Sequence, residues 1–560
     1  MDCLAGCSLA QQPLLPPISP PPVCLASPLY TMRSSLFAAF MPVAALAQDA
    51  PAFPERCLKF AEELNGKLPN TTVWFSEAVL AGTNLTLSDN DPTCTRTSQQ
   101  VDVDMCRVAM FVTTSPTSNV SVEAWLPVDW KGDRFLSTGN GGLSGCIQYE
   151  DLAYTTARGF ASVSGNAGHN GTSGAAFGYS DEVIEDFSWR SVHTGVVLGK
   201  QIVEEYYGRP HQKSYYLGCS TGGRQGFKSA QDYPEDFDGI VAGAPAFAFN
   251  NLSSWSGHFY TATGKPGSPT FLSVEQWLAV QADVLKQCDG LDGHADGILE
   301  DPDMCAYRPE GLICGSGNNS TSCITGTQAE TVRKVFGAIY SSDGSFTYPG
   351  MQYGADNSFV FIYLAGNPFT YSTEWFQYAI YHNPEWDPAT LSPKDYVESA
   401  SRDFGGISSF KGDLSGVRDR GAKILHYHGL QDQIITSTNS ARYYNHVSRT
   451  MNLPSGDLDA FYRYFRVSGM GHCSGGSGAS AIGNKAGDSY VSEDAADNVL
   501  TAIVDWVEKG VAPETITGTR YQNGTRSSGV IEYKRKHCKY PLRNVFKGGD
   551  ASNPDSWQCV

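Results

Sequence analysis

A strand, a tight turn and a helix are predicted for one segment, Tyr215-Tyr216-Leu217-Gly218-Cys219-Ser220-Thr221-Gly222-Gly223-Arg224-Gln225-Gly226. Gly218, Ser220 and Gly222 meet the Gly-x-Ser-x-Gly spacing, in which small neighbours let a serine occupy a strained turn with its hydroxyl exposed at the carboxyl edge of a sheet. The spacing alone recurs by chance. The predicted strand and helix on either side favour a nucleophile elbow over a glycine-rich turn with a solvated serine.

A serine nucleophile requires a general base and an acid that orients the base, and in this arrangement they follow in the order Ser, Asp, His after later strands. Asp432 follows a predicted strand from Lys423 to His428, and the glycine-flanked His472 follows another strand. Both side chains would lie at the same sheet edge as Ser220. His426 and His428 alternate with apolar neighbours and are interpreted as ordinary strand residues.

Strand and helix patterns alternate along much of the chain. Arg134 to Thr138 predicts a strand that leads into Gly139-Asn140-Gly141-Gly142, Trp189 to Tyr207 carries a helical apolar stripe, and Val499 to Gly510 predicts a late amphipathic helix. The alternation predicts an α/β fold with a mainly parallel sheet. Thr221 and the loop glycines Gly141 and Gly142 are the candidate N–H donors to an oxyanion.

Between residues 247 and 410 the alternation fades into sequence rich in Gly, Ser and aromatic residues, which predicts an inserted second domain. The window from Phe359 to Trp386 holds ten aromatic residues in 28. Such density favours a domain core over a surface that binds aromatic rings, and both interpretations stay open.

Composition sets the broad class of the protein. The chain has 560 residues, 41% hydrophobic and 18% charged, as in a folded globular protein. Its formal net charge of −18 repels phosphate backbones and anionic membranes, so neither nucleic acid nor a membrane is an expected partner.

The first 47 residues have the composition of segments that are absent from a mature protein. Residues 1–31 are Pro-rich without periodicity and are interpreted as a non-native upstream extension. Residues 32–47 carry Arg33, an apolar run and a small-residue cleavage site before Gln48, as in a secretory signal peptide. A stable N-terminal element is the alternative, but the apolar run is too short to span a bilayer. We therefore expect a secreted, extracellular protein.

Cysteine usage agrees with secretion, because 15 Cys without Cys3, Cys7 and Cys24 leave an even number, 12. Cys219 precedes Ser220 and Cys473 follows His472, so a disulfide between them would join nucleophile and base. Other pairings stay open, since 12 Cys allow about ten thousand connectivities. Glycosylation acceptors occur at Asn70, Asn84, Asn119, Asn170, Asn251, Asn318, Asn319 and Asn523.

A second cluster of chemically active residues is Cys288-Asp289-Gly290-Leu291-Asp292-Gly293-His294-Ala295-Asp296-Gly297-Ile298. Clustered carboxylates repel one another unless a cation lies among them, and the intervening glycines suit an oxygen-loving ion such as Ca²⁺. EF-hand spacing is not met, because His294 stands where Asp or Asn is required and no Glu occupies the twelfth position. A solvated acidic loop is the alternative.

Taken together, Cys219-Ser220, Asp432 and His472-Cys473 resemble the corresponding elements of the secreted tannase and feruloyl esterase family. The likeness spans about residues 57 to 559. Thr221 and Gln225 resemble the residues of the feruloyl esterase B branch at these two positions. Tannases more often carry Glu at both. The resemblance implies an α/β-hydrolase domain at residues 48–246 and 411–560, with a large lid domain inserted at residues 247–410.

The same resemblance implies disulfides and a structural Ca²⁺. The ion would be bound by the side chains of Asp289, Asp292 and Asp296 and by the backbone carbonyls of His294 and Ile298. The implied disulfides are Cys219–Cys473, Cys57–Cys106, Cys94–Cys146, Cys288–Cys305, Cys314–Cys323 and Cys538–Cys559.

The predicted activity is ester hydrolysis through an acyl-enzyme on Ser220, with His472 as general base and acid and Asp432 orienting its ring. By resemblance, the expected substrates are feruloyl and p-coumaroyl esters of plant cell-wall polysaccharides. The alternatives are a tannase acting on galloyl esters, a serine peptidase, and a non-catalytic hydrolase-fold binding protein. An intact set of Ser, Asp and His argues against the last of these.

Overall fold

The computed structural model of the protein describes residues 52–315 and 322–560. The predicted upstream extension, the signal peptide, the mature N-terminus near Gln48 and the acceptors Asn318 and Asn319 lie outside the described residues.

The fold is built from α-helices and β-strands that alternate over much of the chain. The helices are α1 Glu55–Leu64, α2 Tyr149–Thr156, α3 Asp181–Glu185, α4 Ser191–Tyr207, α5 Thr221–Asp232, α6 Phe249–Thr263, α7 Val274–Cys288, α8 Gly326–Phe336, α9 Thr370–Glu374, α10 Pro393–Ser401, α11 Ser415–Arg420, α12 Thr438–Met451, α13 Ser455–Leu458 and α14 Val499–Lys509. The strands are β1 Thr71–Val79, β2 Thr83–Thr86, β3 Ser98–Val101, β4 Met105–Ser115, β5 Ser118–Pro127, β6 Arg134–Thr138, β7 Ala161–Gly165, β8 Lys213–Cys219, β9 Gly239–Gly243, β10 Ile339–Tyr340, β11 Phe346–Tyr348, β12 Lys423–Gly429, β13 Tyr462–Val467, β14 Thr515–Tyr521, β15 Ile531–Cys538, β16 Asn544–Phe546 and β17 Trp557–Cys559.

A nine-stranded mixed sheet forms the centre, in the order β1-β4-β5-β7-β6-β8-β9-β12-β13. From β7 onward every neighbouring pair is parallel, as the alternation of strands and helices predicted. The pairs β1–β4, β4–β5 and β5–β7 are antiparallel. Antiparallel pairing follows where β4 and β5 are joined by a turn, because a parallel crossover needs a dozen or more residues.

The parallel half of the sheet brings distant sequence segments to one edge. The strands β8, β9, β12 and β13 are consecutive neighbours that run in the same direction. Ser220 follows β8, Asp432 lies shortly after β12, and His472 lies shortly after β13. The loop from Gly139 to Gly142 follows β6, the other neighbour of β8. All four segments therefore emerge at the carboxyl edge.

The helices α4 and α5 pack against the sheet and support this edge. α4 buries most of the apolar stripe that its sequence predicted, including Val196 and Val203, but leaves Val197 41% exposed, and it ends at Gly208, which has a φ of 69°. Each such side chain contributes roughly 1.5–3 kcal/mol when fully buried. α5 begins directly after Ser220 and packs closely on β8: a Cβ at Gly226 would lie 2.7 Å from the ring of Tyr216. The helix can approach the strand only because its inner face is glycine.

The segment 247–410 contains α6 to α10 and the two-stranded sheet β10–β11, and its described residues add no strand to the central sheet. Aromatic rings dominate its interior, among them Trp255, Trp277, Trp375 and Phe376, which are at most 1% exposed. Of the ten rings in the window from Phe359 to Trp386, four are buried in this core and four more are partly buried and pack against it. None of the helices in the described part of the chain is both long and apolar enough to cross a bilayer.

Candidate active site

Ser220 occupies a strained turn between β8 and α5, with φ 65° and ψ −121°. This conformation is costly for a residue with a side chain and marks functional sites. The turn is held because the Ser220 N–H donates to the carbonyl of Gly243 at 3.0 Å, and the Ser220 carbonyl accepts from Ala246 at 3.1 Å. A Cβ at Gly218 would lie 2.8 Å from the backbone of Gly222, which explains the small residues in the motif.

Asp432 and His472 are in direct contact. Nδ1 of His472 lies 2.8 Å from Oδ2 of Asp432, while Oδ1 accepts the N–H groups of Ile434 and Ile435, each at 2.8 Å. Burial alone would raise the pKa of Asp432, but the neighbouring His472 and hydrogen bonds from both His428 and His472 hold it well below its usual range. Asp432 is therefore a carboxylate that orients the imidazole and leaves Nε2 free to exchange a proton.

Ser220 and His472 line the same cavity. The Ser220 hydroxyl makes no hydrogen bond with any described residue, so it is free to approach an ester carbonyl or the imidazole. In unliganded enzymes such contacts often tighten only when substrate binds. The structure thus brings the three predicted triad residues to one place at the sheet edge.

His428 is a site residue that the sequence analysis missed. Its Nε2 lies 3.0 Å from Oδ2 of Asp432 and 3.1 Å from the carbonyl of Ile435, so Nε2 faces two acceptors and carries the proton. Its Nδ1 contacts the hydroxyl of Ser440 at 2.7 Å, and that hydroxyl also contacts His426 at 3.0 Å. Both histidines are completely buried. Alternation with apolar residues placed them correctly in a strand but carried no signal of their contact with Asp432.

The candidate oxyanion donors lie on two sides of Ser220. Thr221, Gly141 and Gly142 all line the cavity with it. Within the described chain, no carbonyl or side chain accepts from the N–H groups of Gly141 or Gly142, and Thr221 begins α5, where the first N–H groups have no partner in the helix. The Thr221 hydroxyl donates to the carbonyl of Gly142 at 2.7 Å. These N–H groups are available to an oxyanion.

Gln225 fixes the same loop from α5. The N–H of Asn140 donates to Oε1 of Gln225 at 2.9 Å, and Nε2 of Gln225 donates to Oδ1 of Asn140 at 3.0 Å. The side-chain NH2 of Asn140 in turn donates to the carbonyls of Cys146 and Gly165. These two bonds identify the other end of the amide as the oxygen that accepts from Gln225. Thr221 and Gln225, noted as branch markers in the sequence, therefore both position the glycine loop.

The cavity has a volume of about 390 Å³, within the range of small-molecule sites. One part of its wall is apolar and comes mostly from the segment 247–410, including Phe249, Leu252, Tyr363, Phe369 and Tyr371. A few rings of the aromatic window thus reach the site although most lie in the core or pack against it. Another part of the wall is polar and includes Glu150, Asp151 and Lys485. Burial, followed by repulsion from Glu150, raises the pKa of Asp151 to about 7.

Six disulfides are present among the described residues, and they join the expected pairs. They are Cys57–Cys106, Cys94–Cys146, Cys219–Cys473, Cys288–Cys305, Cys314–Cys323 and Cys538–Cys559. The bond between Cys219 and Cys473 links residues 254 positions apart and directly joins the segments that carry Ser220 and His472.

The acidic loop lies outside the cavity that contains Ser220. Asp289 accepts from Gly297 and Asp292 from His294 and Glu300, while Asp296 accepts from Ile298 and pairs with Arg535 at 2.9 Å. Burial raises the pKa of Asp292, and repulsion from Asp296 and Asp289 raises it further. Together they outweigh the backbone hydrogen bonds from His294 and Glu300, which lower it.

The donor types of this loop suit Ca²⁺, but their arrangement is not a closed cage. Among residues 52–315 and 322–560, no group of three or more His, Cys, Asp or Glu side chains is placed to hold a metal ion. Calcium binding therefore stays a prediction, and no catalytic step involves it.

Comparison with known proteins gives one consistent result. A family model described as tannase and feruloyl esterase matches residues 106–560. The probable feruloyl esterase B-2 of Aspergillus oryzae is 52% identical over 518 residues, which cover 92% of this chain and 97% of that protein. Feruloyl esterase C of Talaromyces stipitatus is 52% identical over 509 residues, covering 91% and 95%. The crystal structure of feruloyl esterase B from Aspergillus oryzae matches with a TM-score of 0.88 and 46% identity, covering 91% of this chain and all of that one.

Proposed function

The chain belongs to the tannase and feruloyl esterase family, and on this premise we propose that it is a carboxylic ester hydrolase that releases ferulic and p-coumaric acids from plant cell-wall polysaccharides. The observation that carries the proposal is the placement of Ser220 and the Asp432–His472 pair around one cavity with an aromatic wall.

The site supports an acyl-enzyme mechanism. Ser220 Oγ attacks the ester carbonyl while Nε2 of His472 takes its proton, and the oxyanion accepts from the N–H of Thr221 and of Gly141 or Gly142. His472 then gives the proton to the leaving alcohol. Water, activated by the same imidazole, hydrolyses the acyl-enzyme. Asp432 stays ionised throughout, because its pKa lies far below neutrality.

The wall of the cavity favours a phenylpropenoyl group over a galloyl group. Phe249, Phe369 and Tyr371 offer flat apolar surfaces to an extended aromatic acid. A galloyl group has three hydroxyls and would need more polar partners next to the acyl carbon. Tannase activity remains the second candidate, since both activities occur in the family description.

We further propose that residues 247–410 act as a lid on an α/β-hydrolase domain formed by residues 48–246 and 411–560. The position of the segment between β9 and β12 and its contribution to the cavity wall support this assignment. Limited proteolysis in the presence of a product such as ferulic acid should protect this segment if it covers bound ligand.

Secretion and glycosylation are part of the same proposal. Six disulfides suit an oxidising compartment. Asn70, Asn84, Asn119, Asn170 and Asn523 are exposed and accessible to a glycan. Asn251 is partly buried and its amide donates to the carbonyl of Thr347, so we expect it to stay unmodified.

The experiment that tests the function compares kcat/KM for methyl ferulate, methyl p-coumarate and methyl gallate under one condition. We expect ferulate and p-coumarate to be preferred, and Ser220→Ala to lose up to about a millionfold in kcat while still binding substrate. A tenfold preference for gallate, about 1.4 kcal/mol, would assign the chain to the tannases instead. Full activity of Ser220→Ala would exclude the mechanism.

A further inference from the structure

A second cavity adjoins the catalytic one. It has a volume of about 310 Å³, and Glu150 and Lys485 line both cavities. The remaining wall comes from residues 474–476, 480–481, 486–489, 519–521 and 524. None of the aromatic residues that line the catalytic cavity reaches it. The junction between the two cavities is thus the polar part of the catalytic wall.

The junction carries charged groups whose hydrogen-bonding capacity is only partly used. Lys485 forms no hydrogen bond or ion pair with any described residue, and the carboxyl group of Asp151, beside it in the catalytic cavity, forms no hydrogen bond either. Glu150 pairs with Arg96 at 3.0 Å and keeps its second oxygen unpaired. Inside the second cavity, the exposed Asp488 accepts one backbone N–H, from Arg526. Several donors and acceptors are therefore available to a ligand.

The proposed reaction indicates which part of the substrate lies at the junction of the two cavities. His472 gives its proton to the leaving alcohol, so that alcohol must lie beside the imidazole. The loop that follows His472 continues directly into the second cavity, where Ser474, Gly475 and Gly476 form part of the wall. Arg520 holds this loop by donating to the carbonyl of Gly476 at 2.7 Å. The leaving group is thus directed away from the aromatic wall and toward the polar junction.

We propose that the second cavity binds the sugar from which the phenolic acid is released, with Lys485, Glu150 and Asp488 hydrogen-bonding to sugar hydroxyls. The assignment rests on the proposed function and adds the recognition of the alcohol half of the ester. Charged side chains form stronger hydrogen bonds to hydroxyl groups than neutral ones do. Lys485 and Arg520 both line this cavity beside the carboxyl groups, so the site offers donors and acceptors to the hydroxyls of a neutral sugar.

The test compares two substrates with the same acid: methyl ferulate, and ferulate esterified to a pentose unit of a neutral trisaccharide. The variants are Lys485→Met and Asp488→Asn, with Lys394→Met as the matched control. Lys394 is exposed on α10 and lines neither cavity. The quantity measured is the ratio of kcat/KM for the trisaccharide ester to that for methyl ferulate. Melting temperatures report whether each variant is folded.

We expect the wild-type protein to prefer the trisaccharide ester, and Lys485→Met to lower the ratio about tenfold, as for loss of a hydrogen bond from a charged group. Asp488→Asn should lower it about threefold, and Lys394→Met should not change it. A ratio that is the same in the wild type and both cavity variants would overturn the sugar site while leaving the esterase intact. Failure of the folded wild-type protein to hydrolyse either ester would instead overturn the proposed function, and the sugar site with it.

Discussion

His428 lies directly behind Asp432, with its Nε2 3.0 Å from the same carboxylate oxygen that contacts His472 at 2.8 Å. Oδ2 of Asp432 thus contacts two imidazoles, and Oδ1 accepts two backbone N–H groups. The orientation of His472 depends on a carboxylate that is fixed from every side.

The first prediction concerns His428. Replacement by Leu removes a hydrogen bond to a buried charge, worth roughly 1.5–3 kcal/mol, so kcat should fall about tenfold to a hundredfold while KM changes little. His428→Gln should recover part of the loss, because its amide can donate to Asp432. Steady-state kinetics on methyl ferulate measure both constants.

His258→Leu is the matched control, since His258 contacts Tyr396 and does not line the cavity. An equal loss of kcat in His428→Leu and His258→Leu would mean that His428 acts only through general stability.

The second prediction concerns Gln225. Gln225→Glu keeps the acceptor for the Asn140 N–H but loses the donor to Oδ1 of Asn140, and the two oxygens then face each other. Such a buried mismatch costs about 1–3 kcal/mol. Because the glycine loop follows Asn140, we expect kcat to fall about tenfold. The exposed Gln100→Glu provides the same charge change away from the site, and equal kcat in both variants would contradict the role of Gln225.

The third prediction separates two neighbouring glycines. Gly142 has a φ of 57°, and a Cβ there would lie 2.7 Å from the ring of Tyr371, whereas a Cβ at Gly141 meets no atom within 4 Å. Gly142→Ala should therefore be destabilised by about 1–3 kcal/mol and lose activity, while Gly141→Ala should change little. Urea unfolding and kcat/KM for methyl ferulate distinguish the two variants. A smaller loss of stability and activity in Gly142→Ala than in Gly141→Ala would contradict this prediction.

The fourth prediction concerns pH. The pKa of Asp151 is about 7 in the folded state, above its ordinary value of 3.8. The folded state therefore holds a proton that the unfolded chain has lost, and stability falls as pH rises from about 4 to about 7. Asp151→Asn does not titrate, so it should gain stability relative to wild type over this window. The side chain is partly exposed, which limits the gain to about 1–2 kcal/mol.

Thermal unfolding of both proteins at pH 5 and pH 8 checks this prediction. The difference in melting temperature between Asp151→Asn and wild type should be larger at pH 8. A constant difference would show that Asp151 titrates normally.

The fifth prediction concerns the acidic loop. If Ca²⁺ binds there, prolonged chelation should lower the melting temperature by several degrees, because a ligand at a hundredfold excess over its Kd stabilises by about 2.7 kcal/mol. Activity at mild temperature should change less, since the loop does not line the catalytic cavity. Asp292→Asn should be insensitive to the chelator. Metal analysis of undialysed protein that finds no calcium would exclude the site.

The sequence determined the elements whose signal is local. The strand, turn and helix at residues 215–226 follow from apolar and small-residue spacing, and the order Ser, Asp, His follows from the rule that loops after parallel strands meet at one edge. The sequence alone therefore predicts that Ser220, Asp432 and His472 lie together. The Cys219–Cys473 pair was suggested by its position beside Ser220 and His472, whereas the other five cysteine pairs were available only through the family resemblance, because spacing cannot choose among connectivities.

Tertiary structure decided the contacts whose partners are set by how loops fold back on the sheet. His428 could be placed in β12 from its sequence, but its contact with Asp432 depends on the turn after Gly429. Glu150 and Lys485 are far apart in the chain and share a cavity wall only because α2 and the loop after His472 converge. The aromatic window likewise split between core and cavity wall. Sequence periodicity reports which side of an element faces the interior, whereas the neighbour it meets there depends on packing of the whole chain.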